Sequence, residues 1–318
     1  MPVPKGPHLE FEQPVVELAM KIEDLLKSSE VTGADVKGLQ AKKDALQKKI
    51  AAKLTPWNRI ELARRAGRPF TLDYVNALFT DFVELHGDRA FGDDPAMITG
   101  LARLGGRSVA IIGQQKGRDT KESIRRNFGM ANPEGYRKAL RIMRMAEKFN
   151  LPVISFIDTP GAFPGLGAEE RGQGEAIAVN LMEMAVLRTP ILAVVIGEGA
   201  SGGALGIGVG DRLLMLENAW YGVISPESCS AILWGDSSKK QDLSGTMKIT
   251  AEDLKNLKVI DRIVPEPLGG AHWDTEAMFE TLGAALVEEL DQLAKIPLDA
   301  LIAKRADKYA AMAQFAEK

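Results

Sequence analysis

An α/β fold with a largely parallel sheet is what this sequence predicts, on three observations. Two short apolar runs, 152–158 (PVISFID) and 191–198 (ILAVVIGE), read as buried strands. Each ends in a glycine-rich loop. Each loop leads into a helical pattern, and repeated strand–loop–helix units are how parallel strands are joined.

The elements follow in chain order. Residues 14–54 read as two amphipathic helices, one with Leu18, Ile22, Leu25 and Leu26 as its apolar stripe, the other with Leu39, Leu46, Ile50 and Leu54. The stretch 28–35 breaks them, with Thr32-Gly33 as the expected turn. Residues 97–104 and 108–114 flank Gly105-Gly106 and predict a hairpin on a two-residue glycine turn. The run from Pro133 to Phe149 predicts a helix, with Asn132 as N-cap and Pro133 at the first helical position. After the strand 152–158 a helix is expected from about 168 to 187, and after 191–198 a short one. RLLML (212–216), WYGVIS (220–225) and VIDRIV (259–264) read as strands; 227–233, 251–257 and 276–293 read as helices.

Composition bounds the function. At 318 residues and 45% hydrophobic, the chain can bury a full core, and its formal charge of -3 names no partner class. Ten Lys or Arg lie between Lys37 and Arg68 against Asp44 and Glu61. That density reads as a solvated basic helix face, with an acidic ligand as the sharper alternative. A single cysteine, Cys229, excludes an intrachain disulfide and a Cys-based zinc site, so no metal is expected in this chain. Histidines occur at 8, 86 and 272 only. No apolar signal core or membrane-length run is present, so a soluble cytoplasmic protein is expected.

The two glycine loops, DTPGAFPGLG (158–167) and GEGASGGALG (197–206), carry the chemistry. Ligands of α/β sheets gather where strands end at their carboxyl side. A loop feeding a helix start also offers unpaired N–H groups and a favourable dipole. Two such loops from adjacent strands would supply amides to one oxygen, as an oxyanion hole requires. A competing reading exists, because Gly199-Ala200-Ser201-Gly202-Gly203 matches G-x-S-x-G, with Ser201 as nucleophile and His272 as the one downstream histidine. A third reading uses carboxylates near the loops, Glu169, Glu170, Glu198 and Glu227, as an acid–base pair. Lys116, Arg118, Lys121, Arg125 and Arg126 form a basic segment suited to phosphate or carboxylate. It lacks aromatic interleaving, so nucleic acid is not favoured.

Long ordered blocks then carry a resemblance. LTPWNRIELARR, FVELHGDRAFGDD, QQKGRDTKESIRRNFGMANPEGYRKALRIMRMAEKF, FIDTPGAFPGLGAEERGQGEAIA and VIGEGASGGALGIGVGDRLLMLENAWYGVISPESCSAILW are similar to the alpha subunit of bacterial acetyl-coenzyme A carboxylase carboxyltransferase. Two departures stand out: Ala200 and Ser228 occupy positions where the family is expected to carry glycine. If either needed positive φ, the turn would be strained. The resemblance implies a crotonase-type β-β-α spiral (71–318) with C-terminal helices, behind an N-terminal helical extension (1–70). It implies transfer of the carboxyl group from carboxybiotin on a carrier protein to acetyl-CoA, giving malonyl-CoA, the first committed step of fatty acid synthesis. Implied partners are a zinc-bearing beta subunit in a two-alpha, two-beta assembly, the biotin carboxyl carrier protein and biotin carboxylase. By the same resemblance Gly202 and Gly203 donate to the biotin oxyanion, with Gly161 or Ala162 as the facing donor. Phe163, Pro164, Gly165 and Ser201 would shape the substrate pocket, and Lys116 and Arg118 would contact substrate, carrier or beta subunit. The alternative is a self-sufficient acyl-CoA hydratase or hydrolase of the same fold.

Overall fold

A computed structural model describes residues 3–4, 6–27 and 33–312. Among these, eight strands form one sheet: β1 (Thr80–Glu84), β2 (Met97–Leu104), β3 (Arg107–Gln114), β4 (Val153–Thr159), β5 (Ile191–Ala200), β6 (Arg212–Leu216), β7 (Trp220–Gly222) and β8 (Arg262–Val264). The order is β1-β2-β3-β4-β5-β6-β8, with β7 paired to the far end of β5. β1–β2 and β2–β3 are antiparallel, and every pair from β3 onward is parallel. The predicted hairpin forms as read. Gly105 and Gly106 both take positive φ (+56° and +82°), the requirement of the turn that matches strand twist.

β4 and β5 are buried along their whole length, which is why they are unbroken apolar runs rather than alternating ones. The core gathers around them: Ile154, Phe156, Val194 and Ile196 from the central strands, and Tyr136, Ala139 and Met143 from the helix Pro133–Lys148. That helix starts at Asn132 and Pro133 as expected. The Asn132 side chain does not cap it, however, but accepts from Arg171 at 3.3 Å.

Several boundaries differ from expectation for local reasons. The helix predicted over 168–187 is two helices, Leu166–Glu170 and Gln173–Val186, because Gly172 adopts φ +81° between them. The third strand of the last group is shorter than VIDRIV, since Val259 and Ile260 turn back onto Leu254 before the ladder begins. WYGVIS is extended only over Trp220–Gly222, because Ser225 already caps the next helix through Ser228 N–H. Residues Pro56–Ala63 and Thr71–Leu78 are helices, and Leu298–Ala310 closes the described chain.

The N-terminal hairpin consists of Gln13–Lys27 and Gly33–Ala51; of the predicted break at 28–35, residues 28–32 lie outside the described residues, and 33–35 already belong to the second helix. Its buried stripe is Val15, Val16, Ala19 and Ile22, packed on Trp273. Leu26 of the expected stripe is 65% exposed, so the face has turned by most of a residue step toward the two valines. Residues after the hairpin belong to the body: Ile60 and Leu62 are buried, and Arg68 donates to the Ile196 carbonyl of β5 at 2.7 Å. No helix among the described residues is long and apolar enough to cross a membrane.

Candidate active site

The parallel register pairs Thr159 with Gly199, so the chain leaves β4 and β5 side by side. Backbone then meets backbone. A Cβ at Gly203 would lie 2.4 Å from Ala162 N and 2.4 Å from Gly161 C, a separation real Cβ atoms do not show. Gly203 therefore rests directly on the Gly161–Ala162 peptide, and only glycine permits it. Gly161 itself sits at φ +150°, and its N–H donates to Thr159 Oγ1 at 3.1 Å. The N–H groups of Gly202 and Gly203 fall in the first turn of the helix Ser201–Leu205, where no carbonyl of the same helix is in reach.

One buried side chain ties the two loops together. Gln114, at the end of β3, donates Nε2 to the Gly203 carbonyl at 2.7 Å and accepts the Asp158 N–H at 3.1 Å. Tyr136 Oη adds a 3.2 Å bond to the same Gly203 carbonyl. Asn180 joins the Tyr136 and Gly206 carbonyls at 3.0 and 2.8 Å. With its carbonyl doubly held inward, the peptide after Gly203 has no freedom to rotate. Gln114 heads the segment QQKGRD, where its neighbours Lys116 and Arg118 carry the visible charge. A buried amide at a strand end is its one signal.

Below the loops lies a chain of ions. Lys116 Nζ bonds Asp158 Oδ1 at 2.7 Å and Glu198 Oε2 at 2.8 Å; Arg64 bonds Glu198 and Glu227, each at 2.6 Å. Asp158 Oδ1 also accepts the Glu198 N–H at 2.9 Å, fixing the start of the second loop to the first. Burial alone would raise the Glu198 pKa, but Lys116 and Arg64 outweigh it and bring the carboxyl to about 2. Arg64 likewise lowers Glu227 against its own burial. Neither is poised to donate a proton near neutral pH, and Glu169 and Glu170 are exposed. The acid–base reading therefore loses its acid.

The segment Asn127–Phe128–Gly129 takes positive φ at three successive residues (+46°, +56°, +84°). Gly129 fits there with no side chain, since a Cβ would lie 2.9 Å from Lys116 Cγ and 3.1 Å from the Asp158 carbonyl oxygen. Such left-handed runs of non-glycine residues are costly and persist only where surrounding packing demands them. Here the strain packs Gly129 against Lys116 and the first loop.

Lys116 is half-buried with both carboxylates. Arg118 donates to the Ala66 and Arg68 carbonyls at 2.9 Å each, pairs with Asp73, and lies 3.9 Å over the Phe70 ring. Its fork therefore braces the 66–73 turn. Phe163 folds over Gly165, where a Cβ would meet Phe163 Cε1 at 2.4 Å, and Pro164 is exposed. Ser201 is exposed at φ +56°. The histidines are engaged elsewhere: His272 with Glu12 at 2.6 Å, His8 with Arg65 at 2.9 Å and His86 with Asp93 at 3.0 Å. Ser201 pairs with none of these histidines, and no Ser–His pair forms among the described residues. Ala200 is extended (φ -107°), and Ser228 lies within the helix Pro226–Trp234, so neither departure sits at positive φ. The strain falls on Ser201 instead.

Known proteins agree with this architecture. Residues 8–313 match the family described as acetyl co-enzyme A carboxylase carboxyltransferase-like. The chain is 55% identical over 315 residues to the acetyl-coenzyme A carboxylase carboxyl transferase subunit alpha of Geobacter metallireducens, covering 97% of this chain and 98% of that protein. It is 56% identical over 310 residues to the same subunit of Halorhodospira halophila, with 96% and 98% covered. Among solved structures, it is similar to the transcarboxylase 12S core (TM-score 0.58, 19% identity, 74% of this chain and 43% of that one). It is also similar to a chain of the Pseudomonas malonate decarboxylase hetero-tetramer (TM-score 0.57, 17% identity, 70% and 89%). These two show the crotonase-like fold. The near full-length identity to the curated subunits decides between the readings that the glycine loops left open: the chain belongs to the alpha-subunit family of the acetyl-coenzyme A carboxylase carboxyltransferase, a biotin-dependent transferase, and not to the hydratases of its fold.

Proposed function

We propose that this chain supplies the biotin-facing half of the carboxyltransferase site, and that it does so with backbone amides rather than side chains. The Gly202 and Gly203 N–H groups, with Ala162 N–H facing them, stabilise negative charge on the biotin ureido oxygen. Carboxybiotin supplies the carboxyl group that acetyl-CoA accepts to become malonyl-CoA. The carrying observation is that Gly203 lies directly on the Gly161–Ala162 peptide at the paired exits of β4 and β5. Ala162 is preferred over Gly161 as the facing donor because the Gly161 N–H already donates to Thr159. A single oxyanion-hole donor is worth about 2.7–4 kcal/mol of barrier, so two or three preorganised amides carry much of the rate.

In this reading Phe163, Pro164 and Gly165 form the wall of the biotin pocket, with Ser201 at its rim. Lys116 positions the loops through Asp158 and Glu198, and Arg118 braces the turn beside them. The second substrate site belongs to a zinc-bearing beta subunit, in an assembly of two alpha and two beta chains in the cytoplasm. The biotin carrier protein and biotin carboxylase complete the system. The test is reconstitution: purified alpha chain alone should form almost no malonyl-CoA from carboxybiotin, and adding the beta subunit should restore it. Full activity from the alpha chain alone would overturn the division of labour.

A further inference from the structure

Away from the glycine loops, the helices Pro133–Lys148 and Gln173–Val186 and the turn after β1 border an open pocket of about 460 Å³. Its charged walls are Arg89, Arg137, Arg141 and Arg144, against Asp88 and Glu175. Asp88 is fully occupied. Its Oδ1 accepts the Ala90, Phe91 and Gly92 N–H groups at 2.8–2.9 Å, and its Oδ2 holds Arg137 at 2.8 Å. Arg144 reaches Glu183 at 2.9 Å on the surface.

Arg89 and Arg141 are different. Both donate to one carbonyl, that of His86, at 2.9 and 3.1 Å, and Arg141 donates also to the Gly87 carbonyl at 3.0 Å. Neither has a carboxylate within 4 Å among the described residues. Two guanidinium groups are thus gathered on a single acceptor, and Asp88 and Asp93 act on Arg141 only from beyond ion-pair distance. Arg89 moreover sits at φ +64°, a backbone state that a side chain with a Cβ rarely adopts. Burial, then the charge of Arg89, pushes the Arg141 guanidinium below its ordinary value, against the weaker opposite pull of Asp93 and Asp88.

We infer that this pocket is a binding site for a multiply charged phosphate group, a pyrophosphate or an organic phosphate ester, held by the forks of Arg89 and Arg141 with Arg144 at the mouth. Two adjacent cations with no carboxylate in direct contact suit an anion of charge two or more, and paired guanidinium forks match a tetrahedral phosphate. Leu140, Ala176 and Val179 line the rest of the pocket and leave an apolar shelf for an organic moiety. The site includes none of the loop residues assigned above and stands whether or not that assignment holds.

Calorimetric titration of the full-length chain with inorganic phosphate, pyrophosphate and coenzyme A tests this at fixed ionic strength. Pyrophosphate is expected to bind more tightly than phosphate. The Arg89→Gln/Arg141→Gln double variant is expected to weaken it by about tenfold or more, with an unchanged melting temperature. Glu175→Gln removes the one carboxylate wall that is not already held, so it should tighten binding, which a merely structural role would not do. Competition by coenzyme A would assign the phosphate to the reaction's own substrate, and pyrophosphate binding without such competition would assign a separate ligand. Absence of pyrophosphate binding, or binding unmoved by both the double variant and Glu175→Gln, overturns the site. Should the double variant fail to fold, the Glu175→Gln titration decides alone.

Discussion

Ser201 shows how one residue's chemistry is set by its backbone. It matches a nucleophile elbow in sequence and even in strain, at φ +56° between a strand and a helix, yet all three histidines are held by other partners. Ser201→Ala is therefore expected to retain carboxyl transfer within about tenfold, whereas loss of a triad nucleophile removes several orders of magnitude. A steady-state rate assay on the assembled enzyme separates the two. The neighbouring glycines make a paired prediction. Gly202→Ala places its Cβ 3.6 Å from Ile177, an ordinary contact, and should leave stability unchanged or slightly raised. Gly203→Ala forces the Gly161–Ala162 peptide to move, and should cost about 1–3 kcal/mol of stability and most of the activity. Equal melting temperatures and rates for the two variants would refute the backbone-on-backbone packing.

Between elements, β3 controls the loops that follow β4 and β5. Gln114 satisfies a buried carbonyl on one loop and a buried N–H on the other. Gln114→Leu should leave the Asp158 N–H unpaired, at about 1–3 kcal/mol, leave the Gly203 carbonyl to Tyr136 Oη alone, and lower kcat more than stability alone explains. Denaturant unfolding measured beside single-turnover rates checks this. A variant with normal kcat would place the loops' order elsewhere.

Across the molecule, buried ion pairs join segments far apart in the chain. Burial opposes each of three carboxylates, but their partners prevail: Lys116 and Arg64 at Glu198, Arg68 at Glu266, and His272, with Arg65, at Glu12, each brought to about 2. A depressed carboxylate contributes stability above its unfolded value of 4.5, and loses it as pH falls through the folded value. Asp94 has the opposite sign. Burial raises it to about 6, so its ionisation opposes folding as pH climbs from 3.8 through 6. Asp88 and Asp93 are likewise held at about 2 by hydrogen bonds that outweigh burial, so five groups against one predict that stability drops steeply between about pH 4.5 and 2. Denaturation midpoints across that range test it, and a flat profile would contradict it. The hairpin Gln13–Lys27 and Gly33–Ala51 depends on Trp273, and Trp273→Ala should release it at a cost of about 3–5 kcal/mol. Limited proteolysis, cutting the hairpin first while the sheet persists, reads that outcome.

The sequence by itself determined the parallel core, the Gly105-Gly106 hairpin, the two glycine loops and the family, because these rest on local chemistry: buried apolar runs, positive φ and ordered blocks of residues. It did not reveal β1, whose half-exposed residues lack a buried run, nor the split of the helix after the first loop, where Gly172 could as well have stayed helical. Only the tertiary structure decided what Lys116, Arg118 and Glu198 touch, that strain falls on Ser201 rather than Ala200, and that Gln114 links both loops. Those facts depend on which strands lie side by side. Residues dozens of positions apart meet there through register and packing, and no local pattern in the chain encodes that meeting.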